Sequence, residues 1–393
     1  MSKYVIQAAR MFNGAAWSGP CALFVENGRI YKVASAYEMH SDPYVSEVFD
    51  FGADSCVLPG LIDTHMHLAF DASADPVTAL SKTDDDGLLE QMRRAAASAL
   101  SAGITSVRDL GDRAFLSVGL GKEFDEHPAR GPHIVSAGPP LTPIGGHCHF
   151  FGGEAEGTDA LRTAVRERGR QGCGVVKIMA SGGHMTPGSK PMHASQYTAD
   201  ELRMVVEEAH KIGLSVAAHA HGNEAILDAV NAGVDTLEHV SFMTPEGFAP
   251  EEKVLAAIAK SDVFASVTLG FDPTVPPPAA LTAQFAKISA GYRSLHEHGT
   301  RVVVGTDAGV APFKPHNVLP HAVAELLGLG FSSEEALSAV TALAAEASGL
   351  GSRKGYLRPG YDADLLVVSG DPSRDATALL DVTAVFRSGV RAR

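Results

Sequence analysis

The sequence is short of cysteine and of basic charge, and it has no long apolar run. Its four cysteines, Cys21, Cys56, Cys148 and Cys173, are scattered along 393 residues without a Cys-x-x-Cys pair. That spacing excludes a disulfide framework and predicts reduced, mostly buried thiols. Lys and Arg number 32 against 46 Asp and Glu, a formal net charge of −14. The basic footprint that a nucleic acid or an anionic membrane surface requires is therefore missing. No apolar stretch approaches the roughly 18 residues of a membrane span. Residues 1–12 also lack the apolar h-region and small-residue cleavage site of a secretory signal. These deficits predict a cytoplasmic protein whose partner is a small molecule, with no nucleic acid and no membrane. A homo-oligomer is the expected assembly.

What the chain does have is the balance of a globular protein, 45% hydrophobic and 20% charged residues, which supports a large core. Its length suits a barrel of about 250 residues with an accessory module. Residues 1–57 read as short strands cut by turns. Stretches 4–6, 22–25 and 30–33 are apolar, and Asn13-Gly14 and Asn27-Gly28 are hairpin signals. Thereafter short apolar strands alternate with helical stretches. Candidate strands fall at 60–63, 102–107, 133–136, 175–179, 215–219, 236–239, 263–267 and 301–305. Eight strand–helix units predict an α/β chain with a (β/α)₈ TIM barrel over residues 58–358. Strand character returns in 359–393, and the simplest arrangement pairs this tail with residues 1–57 in a small β-sandwich module.

The strongest chemical feature is Gly60-Leu61-Ile62-Asp63-Thr64-His65-Met66-His67. Side chains alternate along a strand, so two histidines at i and i+2 point the same way. At the C-terminal end of a first barrel strand that direction is into the mouth, where imidazoles suit zinc and similar divalent ions. His219, His239 and Asp307 each end another candidate strand, and Lys177 sits inside the fourth. Any one of these has a bland structural reading; together they place metal-binding groups on strands 1, 4, 5, 6 and 8. An ammonium cannot bind a cation, but burial and nearby metal charge push a lysine toward its neutral form. A neutral Lys177 amine can add carbon dioxide to give a carbamate able to bridge two metals. The competing reading is a salt bridge across the barrel.

The set His65-x-His67, Lys177, His219, His239 and Asp307 resembles the amidohydrolase superfamily, in the branch with a binuclear centre bridged by a carboxylated lysine. The flanking text is similar too: Pro59-Gly60-Leu61-Ile62-Asp63, Gly103-Ile104-Thr105-Ser106-Val107-Arg108-Asp109, Ser181-Gly182-Gly183, Leu237-Glu238-His239, Gly305-Thr306-Asp307-Ala308-Gly309 and Gly360-Tyr361-Asp362-Ala363-Asp364-Leu365. Within the superfamily it is most similar to the imidazolonepropionase-like, zinc-dependent prolidase-type group, which cleaves amide bonds of dipeptides and N-acyl amino acids. The resemblance implies two divalent metal ions, zinc being expected. His65, His67 and Asp307 would hold the more buried ion, and His219 and His239 the more exposed one. N6-carboxylated Lys177 and a hydroxide would bridge them, with Asp307 as general base and then acid. Of the two histidines in Ala218-His219-Ala220-His221-Gly222 it selects His219 as ligand and turns His221 toward substrate; the exchanged roles stay open. His147, in Gly145-Gly146-His147-Cys148-His149, matches a substrate-orienting histidine. His184 departs from the aliphatic residue expected after Ser181-Gly182-Gly183, which bears on pocket shape.

Two other functions compete with amide hydrolysis of a dipeptide, N-acyl amino acid or carbamate. A mononuclear deaminase or cyclic-amidine hydrolase would carry a glutamate three residues after the strand-5 ligand. Gly222 follows His219 by three and Glu224 follows His221, so that reading needs the exchanged roles. A metal-free barrel serving in binding or assembly is a third reading, because fold does not dictate function. Arg108 and Asp109 are expected to form a structural salt bridge under strand 2. Asp84-Asp85-Asp86 reads as a solvated helix N-terminus, and Pro276-Pro277-Pro278 as a rigid loop walling the site.

Overall fold

The computed structural model describes residues 3–35 and 47–393; residues 36–46 of the expected N-terminal module lie outside the described residues. Eight parallel strands organise the molecule. In chain order they are Leu61–Met66, Ile104–Asp109, His133–Ser136, Val175–Met179, Ser215–Gly222, Thr236–Thr244, Phe264–Val267 and Arg301–Val304, called strands 1 to 8 below. Every expected strand is present within a few residues of its predicted place. Nearly all their residues are buried, as parallel strands covered on both faces should be.

Strands 3, 2 and 1 form one parallel arc, and strands 4 to 8 form another in chain order. The arcs touch at both edges. Met66 bridges Ala308 in parallel register, and Leu141 bridges Ile178. Asp307 N donates to His65 O at 2.7 Å, and Leu141 N to Lys177 O at 2.8 Å. Helices Asp85–Ser101, Leu116–Glu126, Thr158–Gln171, Ala199–Lys211, Asn223–Ala232, Glu252–Lys260, Ala279–Glu297 and Leu319–Gly328 follow the successive strands. The acidic run opens the first of these: Asp84 caps it by accepting from Gly87 N at 2.8 Å, with Asp85 and Asp86 in its first turn.

The chain termini build two antiparallel-rich sheets. One orders Arg29–Ser35, Cys21–Glu26, Lys3–Ala8 and Glu47–Asp50; the other carries Val382–Arg387, Leu365–Ser369, Ser55–Pro59 and Arg10–Phe12 side by side. Asn27-Gly28 makes a two-residue turn between Glu26 and its partner Arg29, with φ of 51° and 77°. Positive φ at both positions is what the tight hairpin demands and what Asn-Gly tolerates. Ile6, Leu23 and Val25 of the first sheet meet Val57, Leu365, Val367 and Phe386 of the second in one apolar cluster. The tail thus does pair with the N-terminal strands. Gly60 N donates to Asp364 O at 2.8 Å where this module hands the chain to strand 1.

Phe386 joins the two sheets, its ring 5.9 Å from Tyr4 and 5.6 Å from Phe49. Phe386→Ala should cost about 3–5 kcal/mol in urea unfolding. A loss below about 1 kcal/mol would show that the sheets do not share a core.

Candidate active site

The C-terminal ends of strands 1, 4, 5, 6 and 8 place their polar side chains around one point. His65 and His67 share a face of strand 1, and both reach Asp307: His65 Nε2 lies 3.5 Å and His67 Nε2 3.2 Å from Asp307 Oδ1. Their ligand-type atoms lie within 4.8 Å of one another. Gly305 makes this approach possible, because a Cβ there would sit 2.3 Å from His65 Cβ. Asp307 itself holds φ at +57°, a region costly for any residue but glycine. Asp63, one pleat below His65, locks the turn: its carboxylate accepts from Thr306 N at 3.0 Å and Thr306 Oγ1 at 2.5 Å.

Across the mouth, His219, His221 and His239 form a second group, again within 4.8 Å. Their rings are 4.5–4.7 Å apart. Each ring has one nitrogen committed to a neighbour. His219 Nε2 faces Gly182 O at 3.0 Å, His221 Nδ1 faces Ser241 Oγ at 2.8 Å, and His239 Nδ1 faces Thr268 Oγ1 at 2.9 Å. The other nitrogen is left for a ligand, the usual arrangement of metal-binding imidazoles. Lys177 belongs to the same cavity. Its amine is buried and has no hydrogen-bond partner, so no salt bridge across the interior holds it.

Burial governs the electrostatics. It pulls His65 down to about 4 and, with the Lys177 charge, His147 to about 3. His221 falls to about 3, and His219 and His239 well below their ordinary value, through burial and neighbouring imidazoles. Burial also pushes Lys177 down to about 8. The two acids go the other way. Burial would raise Asp307 and Glu238, yet His65 and His67 hold Asp307, and Arg108, His65 and Lys177 hold Glu238, well below the usual carboxylate range. The result is a set of neutral donors beside fixed anions, the charge state in which metals bind.

His147 enters from the loop after strand 3. Its backbone N donates to Gln196 Oε1 at 2.9 Å, its Nδ1 lies 3.3 Å from Thr186 Oγ1, and its ring is 4.7 Å from His219. A Cβ on Gly183 would strike His147 Nε2 at 2.3 Å, so the second glycine of Ser181-Gly182-Gly183 exists to let this ring in. All eight expected site residues therefore line or border one cavity of about 270 Å³. His184 stands at its rim, exposed.

Comparison with known proteins gives the family. The model of the amidohydrolase family matches residues 56–392. This chain belongs to the amidohydrolase family. It is 30% identical over 366 residues to the ochratoxinase of Aspergillus niger, covering 85% of this chain and 75% of that protein. An imidazolonepropionase from Deinococcus deserti is 32% identical over 204 residues, half of this chain and 46% of the other. Among solved structures, a prolidase complexed with N-methylphosphonate-L-proline superposes with a TM-score of 0.84 at 25% identity, covering 99% of each chain. As a member of the family, the chain is a hydrolase acting on carbon–nitrogen amide bonds.

Other parts of this amidohydrolase site differ from expectation. Arg108 does not pair with Asp109, since adjacent strand residues face opposite ways. It reaches across the interior to Glu238 Oε1 at 2.8 Å and also donates to Thr64 O at 2.6 Å and Ala347 O at 3.2 Å. Glu238 Oε2 in turn faces His65 Nδ1 at 3.0 Å. Asp109 instead accepts from Leu68 N and Gly111 N. After strand 7 the cavity is walled by helix Ala279–Glu297, through Leu281, Phe285 and Ile288, rather than by the triple proline. All four cysteines are free and buried, as expected, and Cys148 lines the cavity.

Two measurements follow from these contacts. Arg108→Met strands the Glu238 carboxylate and should cost about 3–5 kcal/mol. Adding Glu238→Gln should restore much of that stability, and equal losses in both variants would mean that the ion pair is not the cause. The second concerns pH. Unfolded imidazoles protonate near 6.5, but His65 does so only near 4 and His147 and His221 near 3 in the fold. In that window the unfolded chain binds more protons, so acidification removes stability. Burial raises Asp63 to about 6, and Asp109 and Asp112 upward, which opposes the trend. Among the described residues eight histidines are held low, with His133, His219, His239, His316 and His321 beside the three above, against five raised acids, Asp228 and Glu325 joining these three. The melting temperature of metal-free protein should therefore fall as pH drops from 6.5 to 4.5; a flat or rising profile would contradict neutral, buried imidazoles.

Proposed function

We propose that this amidohydrolase is a binuclear metal-dependent enzyme that cleaves the amide C–N bond of a small molecule such as a dipeptide, an N-acyl amino acid or a related carbamate. The observation that carries this reading is the Lys177 amine. It is buried without a partner, and it interacts electrostatically with His65 and His219 and with His239 and Asp307. A lone buried ammonium is costly, whereas a carboxylated amine suits a place between two ligand clusters. His65, His67 and Asp307 would hold one divalent ion, and His219 and His239 the other, with carboxylated Lys177 between them. The all-nitrogen-and-oxygen donor set fits zinc. When bound, the ions supply Lewis-acid polarisation of the scissile carbonyl and acidify water.

The chain's own groups account for the remaining roles. Asp307, kept ionised, takes the proton of the attacking water and delivers it to the leaving nitrogen. His147, neutral and held through its backbone by Gln196, hydrogen-bonds the substrate, and His221, next to the His219 ring, orients it. The convergence of His221 with His219 and His239 supports one variation, in which His221 rather than His219 is the ligand. The strand arcs we read as a closed (β/α)₈ barrel over 58–358, with 1–57 and 359–393 as the β-sandwich module. We place the enzyme in the cytoplasm as a homo-oligomer acting on a small molecule; among the described residues no helix is long and apolar enough to cross a membrane.

Elemental analysis tests the centre. Wild type should hold about two metal ions per chain, and Lys177→Ala should lose much of that content together with amide hydrolysis. His219→Ala should lose metal while His221→Ala keeps it with a raised KM; the reverse pattern would exchange their roles. One ion that survives Lys177→Ala would overturn the bridged centre in favour of a mononuclear deaminase.

A further inference from the structure

On the reading that this cavity hydrolyses amides, the contacts around it narrow the substrate. Its ligand-bearing residues are polar, but most of the remaining lining is apolar, with Gln284 a polar side chain that helix Ala279–Glu297 adds. Helix Ala279–Glu297 presents Leu281, Phe285 and Ile288 to the cavity at helical spacing. These three residues are only half-buried, whereas Tyr292 and Leu295 further along the helix are fully covered. The apolar stripe is therefore only partly covered where it meets the cavity, Phe285 by Phe271 and Ile288 by the main core. Met185 and Phe313 from loops and Met243 from strand 6 continue the wall, and methionine adapts to large apolar surfaces of varied shape.

The wall is also braced. Phe285 packs on Phe271, their centroids 4.5 Å apart, and Phe271 on Phe313 at 5.9 Å. Lys314 is the sole lysine or arginine besides Lys177 lining the cavity among the described residues. Its ammonium is already engaged: Nζ donates to Leu269 O at 3.1 Å and lies 3.8 Å from the centre of the Phe271 ring. These contacts brace the aromatic wall. No arginine lines the cavity among the described residues, so a free substrate carboxylate would lack the bidentate partner that such groups usually find.

We propose that the preferred substrate is an uncharged amide or carbamate with a large aromatic group seated against Leu281, Phe285 and Ile288, and that substrates with a free carboxylate on that half are disfavoured. Burying such a ring covers more of the stripe, while a carboxylate placed there would be desolvated without an arginine to pair it.

The test uses matched pairs on the metal-loaded enzyme. 2-Acetamidonaphthalene is compared with 6-acetamido-2-naphthoic acid and with the dipeptide Ala-Pro. We expect kcat/KM for the uncharged amide to exceed the others by about tenfold or more. Leu281→Ala and Phe285→Ala should raise its KM with little change in kcat. Binding of the non-hydrolysable N-(2-naphthyl)methanesulfonamide and its 6-carboxylate, measured by calorimetry on wild type, reads the preference without turnover or mutation. Hydrolysis that favours the acid or the dipeptide would overturn the proposal and leave amide hydrolysis standing. Tight binding of the uncharged sulfonamide with no amide cleaved would uphold the preference and remove the hydrolytic reading. Failure of both sulfonamides to bind would also overturn the proposal.

Discussion

Arg108 and Glu238 form an ion pair with no access to water, and several separate parts of the chain depend on it. The guanidinium comes from strand 2, donates to the carbonyl of Thr64 on strand 1, and reaches Ala347 near the C-terminal end of the sequence. The carboxylate comes from strand 6, accepts from Thr236 Oγ1 at 2.7 Å, and turns its other oxygen to His65. Such a pair adds little net stability, because desolvation offsets most of its attraction. Its effect lies in geometry. With Glu238 fixed, Nδ1 of His65 is occupied and Nε2 must face Asp307, which sets one side of the centre. The next residue after Glu238 is His239, so the same strand end that carries the anchor carries a member of the other cluster.

The backbone is bent to suit that centre. His239 has φ of +71° and Asp307 of +57°, conformations that side chains other than glycine adopt at a cost of about 1–3 kcal/mol. Both carry a side chain of the two clusters into the site. Glycines nearby serve the opposite purpose, close approach. A Cβ on Gly182 would lie 1.8 Å from Lys190 O, and one on Gly222 2.1 Å from His193 O, so loop 181–197 can fold down over strands 4 and 5 only because these positions are bare. Strain at two side chains and emptiness at the glycines are two parts of one arrangement, in which large polar rings crowd a small volume.

Much of this could be read from the sequence because its signals are local. His65 and His67 are two residues apart on a strand, so alternation alone put both in one direction, and the structure has both on Asp307. Strand ends carry His219, His239 and Asp307, and an eightfold strand–helix rhythm makes strand ends neighbours. What the sequence could not disclose depends on partners far apart in the chain. Arg108 and Glu238 are separated by 130 residues, and the adjacent Asp109 was the more obvious mate. Asp63 and Thr306 are 243 residues apart. His219 and His221 share a strand face, so alternation cannot rank them, and in the fold they stand equally close to His239. The cavity wall from helix Ala279–Glu297 was hidden for another reason. Leu281, Phe285 and Ile288 are spaced like any core stripe of a helix, and only the fold shows that they line the cavity while half-buried.

Desolvation ties these features together. The covering that keeps five imidazoles neutral also lowers Lys177 to about 8, close enough to neutrality for its amine to be nucleophilic toward carbon dioxide. In a wetter site the ammonium would persist and repel any cation. The same low polarity strengthens each remaining interaction, including the pull of His65 and His67 on the Asp307 carboxylate. An apolar substrate half lying on the Leu281 and Phe285 wall would expel water still present and deepen that effect. A charged half would bring its hydration with it, weakening the interactions that hold Asp307 ionised and the burial that holds the imidazoles neutral. The apolar wall and the polar centre are therefore interdependent, and substrate choice and charge state follow from one physical cause.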